Sequence, residues 1–243
     1  MTTTNVEFRS VAAGRGLDWI TEGWGLFKQA PLIWIAMLVL WFLAMILVSM
    51  VPLIGSLAVN LTFPVVMGGL LLGAQAQSEG QALKLDRLWA GFSAPHLTPL
   101  LLLGVAYLLI GIVIGVLAVG LVFASLGGAF LSGDFNAAQF GFGSVIGLLL
   151  ILLVVVAFSL ATWFAPALVV FAGQSPIAAL KLSFSAAMAN LGALMVYGLL
   201  AIVIMIIASI PFGLGFLVAL PVFFAALYCS YRDVFGADGA AAD

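Results

Sequence analysis

Charged residues are scarce in this sequence, and their scarcity decides the class of protein. Only 7% of the 243 residues are Asp, Glu, Lys or Arg, whereas 65% are hydrophobic. A water-soluble domain has about 25% charged residues, which cover its surface. A chain with so few charges has lipid rather than water as its main solvent. The composition therefore predicts an integral membrane protein.

Cysteine, histidine and clustered basic residues are also rare, and each scarcity excludes a kind of site. The single cysteine, Cys229, cannot form a disulfide within the chain, and the single histidine, His96, excludes a histidine-rich metal site. A net charge of −2 without a basic cluster excludes nucleic acid as a partner. The sequence therefore suggests no metal and no other cofactor.

Long apolar runs are what the sequence does contain, and they predict an all-α bundle of about six transmembrane helices. A span needs about 20 apolar residues. The predicted spans are Leu32–Val51, Ser56–Ala76, Pro99–Leu126, Ser144–Ala172, Leu191–Ile210 and Phe216–Tyr231. The stretch Gly127–Gly143 is rich in Gly, Ser, Asn and Asp, so we expect an exposed loop there.

All seven Lys and Arg residues fall on one side of the membrane if the chain crosses it six times. The positive-inside rule places that side, and with it both termini, in the cytoplasm. Residues 233–243 then form a short cytoplasmic tail.

Short amphipathic segments precede the first, third and fifth spans, and each is predicted to form a helix along the membrane surface. Their apolar faces are Leu17, Ile20, Trp24 and Phe27; Leu85, Leu88 and Phe92; and Ile177, Leu180, Phe184 and Met188. One interfacial helix and one helical hairpin make a unit. The single membrane domain, residues 1–243, would thus contain three units at about 15–76, 82–172 and 175–232. The alternative is that any six-span protein with prolines in its helices looks repetitive.

None of the predicted span cores contains Asp, Glu, Lys, Arg or His. A charge persists at the bilayer centre mainly where it serves a proton relay or an ion path, so no residue here suits either. His96 and Ser144 would lie about 30 Å apart across the bilayer, too far for a base and its nucleophile. We therefore expect no enzymatic activity.

The second helix of each unit carries a proline, namely Pro64, Pro166 or Pro221. Proline frees a backbone carbonyl, and the small polar residues Asn60, Thr62 and Thr162 lie in the same helices. These six residues are predicted to line a cavity for an apolar molecule. The alternative is that the polar side chains only join helices by hydrogen bonds.

Two further groups of residues are predicted to pack or anchor the helices. Gly69 with Gly73, and Gly111 with Gly115, form G-x-x-x-G pairs, and Gly104 extends the second pair. Such glycines let helices approach closely, within the bundle or in another membrane protein. Trp19, Trp24, Trp89, Tyr231 and Arg232 are predicted to anchor the chain at headgroup level, in contact with membrane lipids.

Two segments of the last third carry a family resemblance: 163–169, with sequence WFAPALV, and 228–235, with sequence YCSYRDVF. They resemble a family of uncharacterised proteobacterial six-span inner-membrane proteins, and are more distantly similar to the membrane domain of some glycerophosphodiester phosphodiesterases. The resemblance implies a multi-pass protein of the bacterial inner membrane. The phosphodiesterase catalytic domain is absent, so its activity is not implied.

Two classes of function remain open from the sequence. The first is a non-catalytic scaffold, assembly factor or accessory subunit of a membrane complex, which needs only apolar helices with packing faces. The second is binding or transport of a lipid or other amphiphile, which needs a cavity. We favour the first at this stage, because a sequence cannot show a cavity.

Overall fold

A computed structural model describes residues 6–52, 54–132 and 142–236. Within these residues the chain forms nine α-helices and one 3-10 helix. The helices are α1 (Arg15–Gln29), α2 (Pro31–Ser49), α3 (Ile54–Ser78), the 3-10 helix (Leu85–Phe92), α4 (Leu97–Ser132), α5 (Phe142–Trp163), α6 (Ala165–Ala172), α7 (Pro176–Ala189), α8 (Leu191–Ser209) and α9 (Phe216–Phe235). Six segments are long and apolar enough to span a membrane: α2, α3, most of α4, α5 with α6, α8 and α9. The predicted all-α bundle of six spans is confirmed.

Some element boundaries differ from those predicted. Helix α4 continues to Ser132 and α5 begins at Phe142, so both ends of the predicted loop are helical, and the rest of it lies outside the described residues. Two glycines cost a helix only about 1 kcal/mol each, and the apolar residues that follow them favour its continuation. The fourth span divides at Phe164 into α5 and α6, and the middle interfacial element is a 3-10 helix.

The spans form three hairpins: α2 with α3, α4 with α5 and α6, and α8 with α9. The α8–α9 turn includes Phe212 at φ 52° and Gly213 at φ 81°, a left-handed conformation that glycine adopts without strain. Gly215 then lies against the backbone of Ala208, where a larger residue would clash. We call the end of the bundle where α2 begins and α9 ends the base.

Each interfacial helix packs mainly on the hairpin that precedes it. The 3-10 helix lies on α3, and α7 lies on α5 and α6. Helix α1 has no preceding hairpin, and it packs instead on α9 and α8, the last hairpin of the chain. The three hairpins and their crossing helices therefore form a closed ring in which the first helix completes the last unit. The unit boundaries drawn from the sequence stay a prediction.

The crossings lie just after two of the prolines and depend on glycine. Gly91 of the 3-10 helix contacts the carbonyl oxygen of Val65, the residue that follows Pro64. In α1, a Cβ at Gly23 would lie 2.7 Å from the nitrogen of Ala226 and 2.7 Å from the oxygen of Val222, which follows Pro221. Only glycine permits such backbone contact, so these two residues fix where the helices cross.

A charged network at the base holds the ring closed. The Asp233 carboxylate accepts hydrogen bonds from Arg9 Nη2 at 2.8 Å, Arg15 Nε at 2.6 Å and Trp19 Nε1 at 2.8 Å. Glu22 accepts from Arg15 Nη2 at 3.2 Å and from Arg232 Nη2 at 2.9 Å. The hydrogen bond to Asp233 raises the pKa of the Arg15 guanidinium above its ordinary value, although burial opposes this. The network joins the N-terminal segment and α1 to the end of α9.

Backbone and amide hydrogen bonds extend this closure. The Arg9 nitrogen donates to the Val234 oxygen at 2.9 Å. Buried Asn190, between α7 and α8, accepts from the Val11 nitrogen at 2.8 Å and donates to the Arg9 oxygen at 3.0 Å. The first and last described segments are thus bonded to each other and to the start of α8.

Two of the predicted interfacial anchors are in fact buried. Trp19 is 0% exposed because α1 packs on α9, and Tyr231 is 4% exposed because its ring packs on Phe171 of α6 and Phe235. These two side chains therefore contact other parts of the protein, whereas the sequence had predicted contact with lipid headgroups. Trp24 and Trp89 remain 41% and 48% exposed, and Arg232 is paired with Glu22.

Candidate functional site

The break between α5 and α6 is the most irregular part of the membrane-spanning backbone. Pro166 has no N–H to donate to the Thr162 oxygen, and the Tyr107 hydroxyl of α4 donates to that oxygen instead, at 3.3 Å. Ser183 of α7 accepts from the Phe164 nitrogen and donates to the Leu160 oxygen, each at 2.9 Å. Neighbouring helices thus satisfy the freed backbone groups, as a span in lipid requires.

A cavity of about 530 Å³ lies between α8 and α9, and a smaller central cavity of about 260 Å³ borders this break. The central cavity lies where all three hairpins meet, with walls from α3, α4, α5, α6, α8 and α9. Its lining residues are mostly aromatic: Phe63, Met67, Tyr107, Thr162, Trp163, Pro166, Tyr197, Phe223, Phe224 and Leu227. None of them is charged, so the cavity suits a neutral molecule.

Few polar atoms of the central cavity are free to select a ligand. The Thr162 hydroxyl donates to the Phe158 oxygen at 3.0 Å, and the Tyr107 hydroxyl is bound to the Thr162 oxygen. The Trp163 indole Nε1 is buried and has no hydrogen-bond partner within the described part of the chain. Aromatic rings also pack on one another here, with Trp163 edge-on to Tyr197 at 5.1 Å between ring centroids. Recognition would therefore rest on shape and apolar contact.

The structure brings together only some of the residues predicted to line a cavity. Thr162 and Pro166 border the central cavity, whereas Thr62 borders a separate cleft between α2 and α3. Asn60, Pro64 and Pro221 line neither of these two. The Asn60 amide donates to the Ser56 oxygen at 2.8 Å and the Thr62 hydroxyl to the Ala58 oxygen at 2.7 Å, both within α3.

The sequence reasoning missed the aromatic residues that form most of the wall. A signal was present, because each proline of the second helices has an aromatic neighbour that lines the cavity. Phe63 precedes Pro64, Trp163 lies three residues before Pro166, and Phe223 lies two residues after Pro221.

The five predicted packing glycines divide into two groups. Gly69 lies against the backbone of the 3-10 helix, Gly73 lies against the Leu83 side chain, and Gly104 lies against the backbone of Leu61. A Cβ added at Gly111 or Gly115 would meet no atom within 4 Å. Those two glycines therefore face outward from α4, with room for another helix.

No group of three or more His, Cys, Asp or Glu side chains is placed to hold a metal ion in the part of the chain that the structure describes. Cys229 is buried in α9. His96 is half-buried at the start of α4.

The arrangement can be compared with known proteins. The family model described as a domain of unknown function, DUF7847, matches residues 17–235, from α1 to the end of α9. The chain belongs to this family. The residues that match DUF7847 include every residue that lines the central cavity. They also include Trp19 of α1 and Asp233 of α9, which are hydrogen-bonded to each other.

A relative supports the membrane assignment. A probable inner membrane protein of Burkholderia thailandensis is 30% identical over 256 aligned positions, which cover 93% of each chain. No solved structure matches the chain. With six apolar helices, the protein is a multi-pass membrane protein. The resemblance to inner-membrane proteins is confirmed, whereas the likeness to the phosphodiesterase membrane domain stays a prediction.

Proposed function

We propose that this protein is a non-catalytic membrane protein that binds a neutral apolar or amphiphilic molecule in the central cavity. The observation that carries the proposal is that cavity, which has an aromatic, uncharged lining where the three hairpins meet. From the sequence we favoured a scaffold, because a carrier needs a cavity. The geometry now supports the second class better.

The lining defines the chemistry of the bound molecule. An ion would lose its hydration without gaining a partner, since no charged side chain borders the cavity. A lipid-soluble group gains no hydrophobic free energy on moving from the bilayer into an apolar cavity, so its binding would rest on van der Waals packing and on stacking against aromatic rings. Pockets for drug-sized ligands are about 300–1,000 Å³, so a cavity of about 260 Å³ holds one ring or a short part of a chain.

The location we propose is the bacterial inner membrane, with the base of the bundle in the cytoplasm. The cations Arg9, Arg15 and Arg232 lie at the base, and the positive-inside rule assigns that side to the cytoplasm. A green fluorescent protein fused after residue 243 tests this orientation. Fluorescence is expected, and its absence in a well-expressed fusion would place the base on the other side.

Native extraction into lipid nanodiscs, followed by mass spectrometry of bound small molecules, tests the ligand. Leu227→Trp fills the central cavity, and Leu217→Trp makes the same change elsewhere on α9, at a residue that lines none of the described cavities. A neutral lipid-soluble compound should be enriched with the native chain and with Leu217→Trp, and lost with Leu227→Trp. Equal retention by both variants would refute binding in this cavity.

A second candidate function, that of an accessory subunit, rests on the outward-facing glycines of α4. Gly111 and Gly115 have open space around them, although Gly104 on the same helix is used within the bundle. Leu at Gly111 and Gly115 should release a stoichiometric partner from the same nanodisc preparation without unfolding the protein. Leu at Gly104 should instead disrupt the α3–α4 contact, which makes it the matched control.

A further inference from the structure

Two clefts outside the central cavity have the same construction. The first, of about 530 Å³, lies between α8 and α9 and is bordered at one end by α1. The second, of about 190 Å³, lies between α2 and α3 and is bordered by the 3-10 helix. In both, a hairpin supplies two walls and an interfacial helix crosses the end. The first and the last hairpin thus form the same feature.

The same residue type marks the crossing helix in each cleft. Trp24 borders the first cleft and Trp89 the second, and both rings are close to half-exposed. Each cleft continues from its tryptophan to a valine just after a helix proline, Val222 in the first and Val66 in the second. Tryptophan on an interfacial helix is typical of headgroup level, and an apolar groove beyond it is at acyl-chain level.

A cation lies beside the tryptophan of the first cleft. The Lys28 ammonium nitrogen is 5.9 Å from the Trp24 ring centroid, and Arg87 is two residues before Trp89. Lys28 forms no ion pair with any described residue, whereas Arg87 borders neither cleft and its Nη2 donates to Gln81 Oε1 at 3.3 Å. In contrast, Arg9, Arg15 and Arg232 are each paired with a carboxylate. Lys28 therefore remains available to an external anion.

We propose that the first cleft holds an acyl chain of an anionic phospholipid, with the phosphate beside Lys28. The apolar walls bind the chain, and the cation binds the headgroup at the level of the tryptophan. This site is separate from the central cavity and takes an anionic lipid rather than a neutral molecule. Loss of either kind of binding leaves the other proposal standing.

Tryptophan fluorescence in nanodiscs of stated composition tests the proposal. The discs contain phosphatidylcholine and a minor fraction of phosphatidylglycerol, and the acyl chains of one or the other lipid are brominated, because bromine quenches a nearby indole. The variant Trp24→Phe gives the share of the signal that belongs to the first cleft. Lys28→Gln removes the cation of that cleft, and Lys181→Gln on α7, which borders neither cleft, is its control.

Brominated phosphatidylglycerol should quench the Trp24 signal as strongly as about a fivefold larger fraction of brominated phosphatidylcholine, the preference that one cation near the headgroups gives. Lys28→Gln should remove this preference and Lys181→Gln should keep it. Ala219→Leu, which fills the first cleft, should reduce quenching of Trp24 by either lipid. Equal quenching by the two lipids in the native protein, or equal effects of the two lysine variants, would overturn the proposal.

Discussion

Asp233 joins the N-terminal segment and α1 to the end of α9 through four hydrogen bonds. Its carboxylate binds two arginines and the Trp19 indole, and its backbone oxygen accepts from Arg9 Nε at 2.6 Å. The side chain is 8% exposed, so its hydrogen bonds are shielded from water and salt. Asp233, which directly follows the predicted anchors Tyr231 and Arg232, is therefore a point of tertiary attachment.

Asp233→Asn should destabilise the protein by about 3 kcal/mol, because it leaves Arg15 and Arg9 without their buried partner. Asp18→Asn is the control, since the half-exposed Asp18 meets only Arg15 and an exposed pair contributes at most about 1 kcal/mol. Maleimide labelling of Cys229, which is 1% exposed, measures opening of the fold in mild detergent. Labelling of Asp233→Asn no faster than of Asp18→Asn would contradict a stabilising role.

Asn60 and Thr62 make hydrogen bonds within α3 and border no part of the central cavity. Replacing them together by Leu and Val should therefore leave the compound bound in that cavity unchanged, measured by mass spectrometry of nanodiscs. From the sequence we expected the opposite result. Loss of the compound in this variant, with Cys229 still protected, would move the site toward α2.

At the scale of elements, the crossing of α1 over α9 depends on the absence of a side chain at Gly23. A Cβ at Gly23 would lie 2.7 Å from two backbone atoms of α9, which cannot move without bending that helix. Gly25, on the same helix, has no atom within 4 Å of such a position. Replacement of Gly23 by Ala therefore tests packing against α9, whereas replacement of Gly25 by Ala tests helix propensity alone.

Gly23→Ala should lower the midpoint of thermal unfolding and expose Cys229, since overpacking costs about 1–3 kcal/mol. Gly25→Ala should be neutral or should stabilise α1 by up to about 1 kcal/mol, the helix propensity difference between the two residues. Circular dichroism on heating measures both. Equal midpoints for the two variants would show that α1 does not depend on this contact.

The sequence predicts the elements well and their partners poorly, for a physical reason. Uncharged runs such as Leu191–Ile210 identify spans, because burial in lipid depends on local composition. The contact between Trp19 and Asp233 joins residues 214 positions apart, and no local pattern contains it. The central cavity is likewise a gap left by packing. The aromatic residues near the prolines indicated which side chains form the wall of the cavity. They did not indicate that three hairpins meet there.

At the scale of the whole molecule, the first and last described segments of the ring are adjacent and bonded to each other. The Arg9 nitrogen and the Val234 oxygen are 2.9 Å apart, and α1 packs on the final hairpin. The order of the elements in space therefore does not require the chain to begin where it does. Helix α1 would take the same place if it followed α9.

A circular permutant that begins at Pro31, joins residue 243 to Met1 and ends at Ala30 should fold, because it breaks only the short α1–α2 connection. Helix α1 would then follow the hairpin on which it packs, as the 3-10 helix and α7 do. Protection of Cys229 and retention of the central-cavity compound measure success. A permutant that inserts but leaves Cys229 reactive would show that the α1–α2 link is itself required.

The position of α1 also sets the timing of biosynthesis. Helix α1 leaves the ribosome first, but its binding surface on α9 is made last. At 5–20 residues per second, the roughly 200 residues between them take on the order of 10–40 s to synthesise. Throughout that interval Trp19 lacks its partner Asp233 and Arg15 pairs only within α1, so we expect the amphipathic helix to lie on the membrane surface. A chain that stops short of Asp233 would stay in that state, open to membrane proteases.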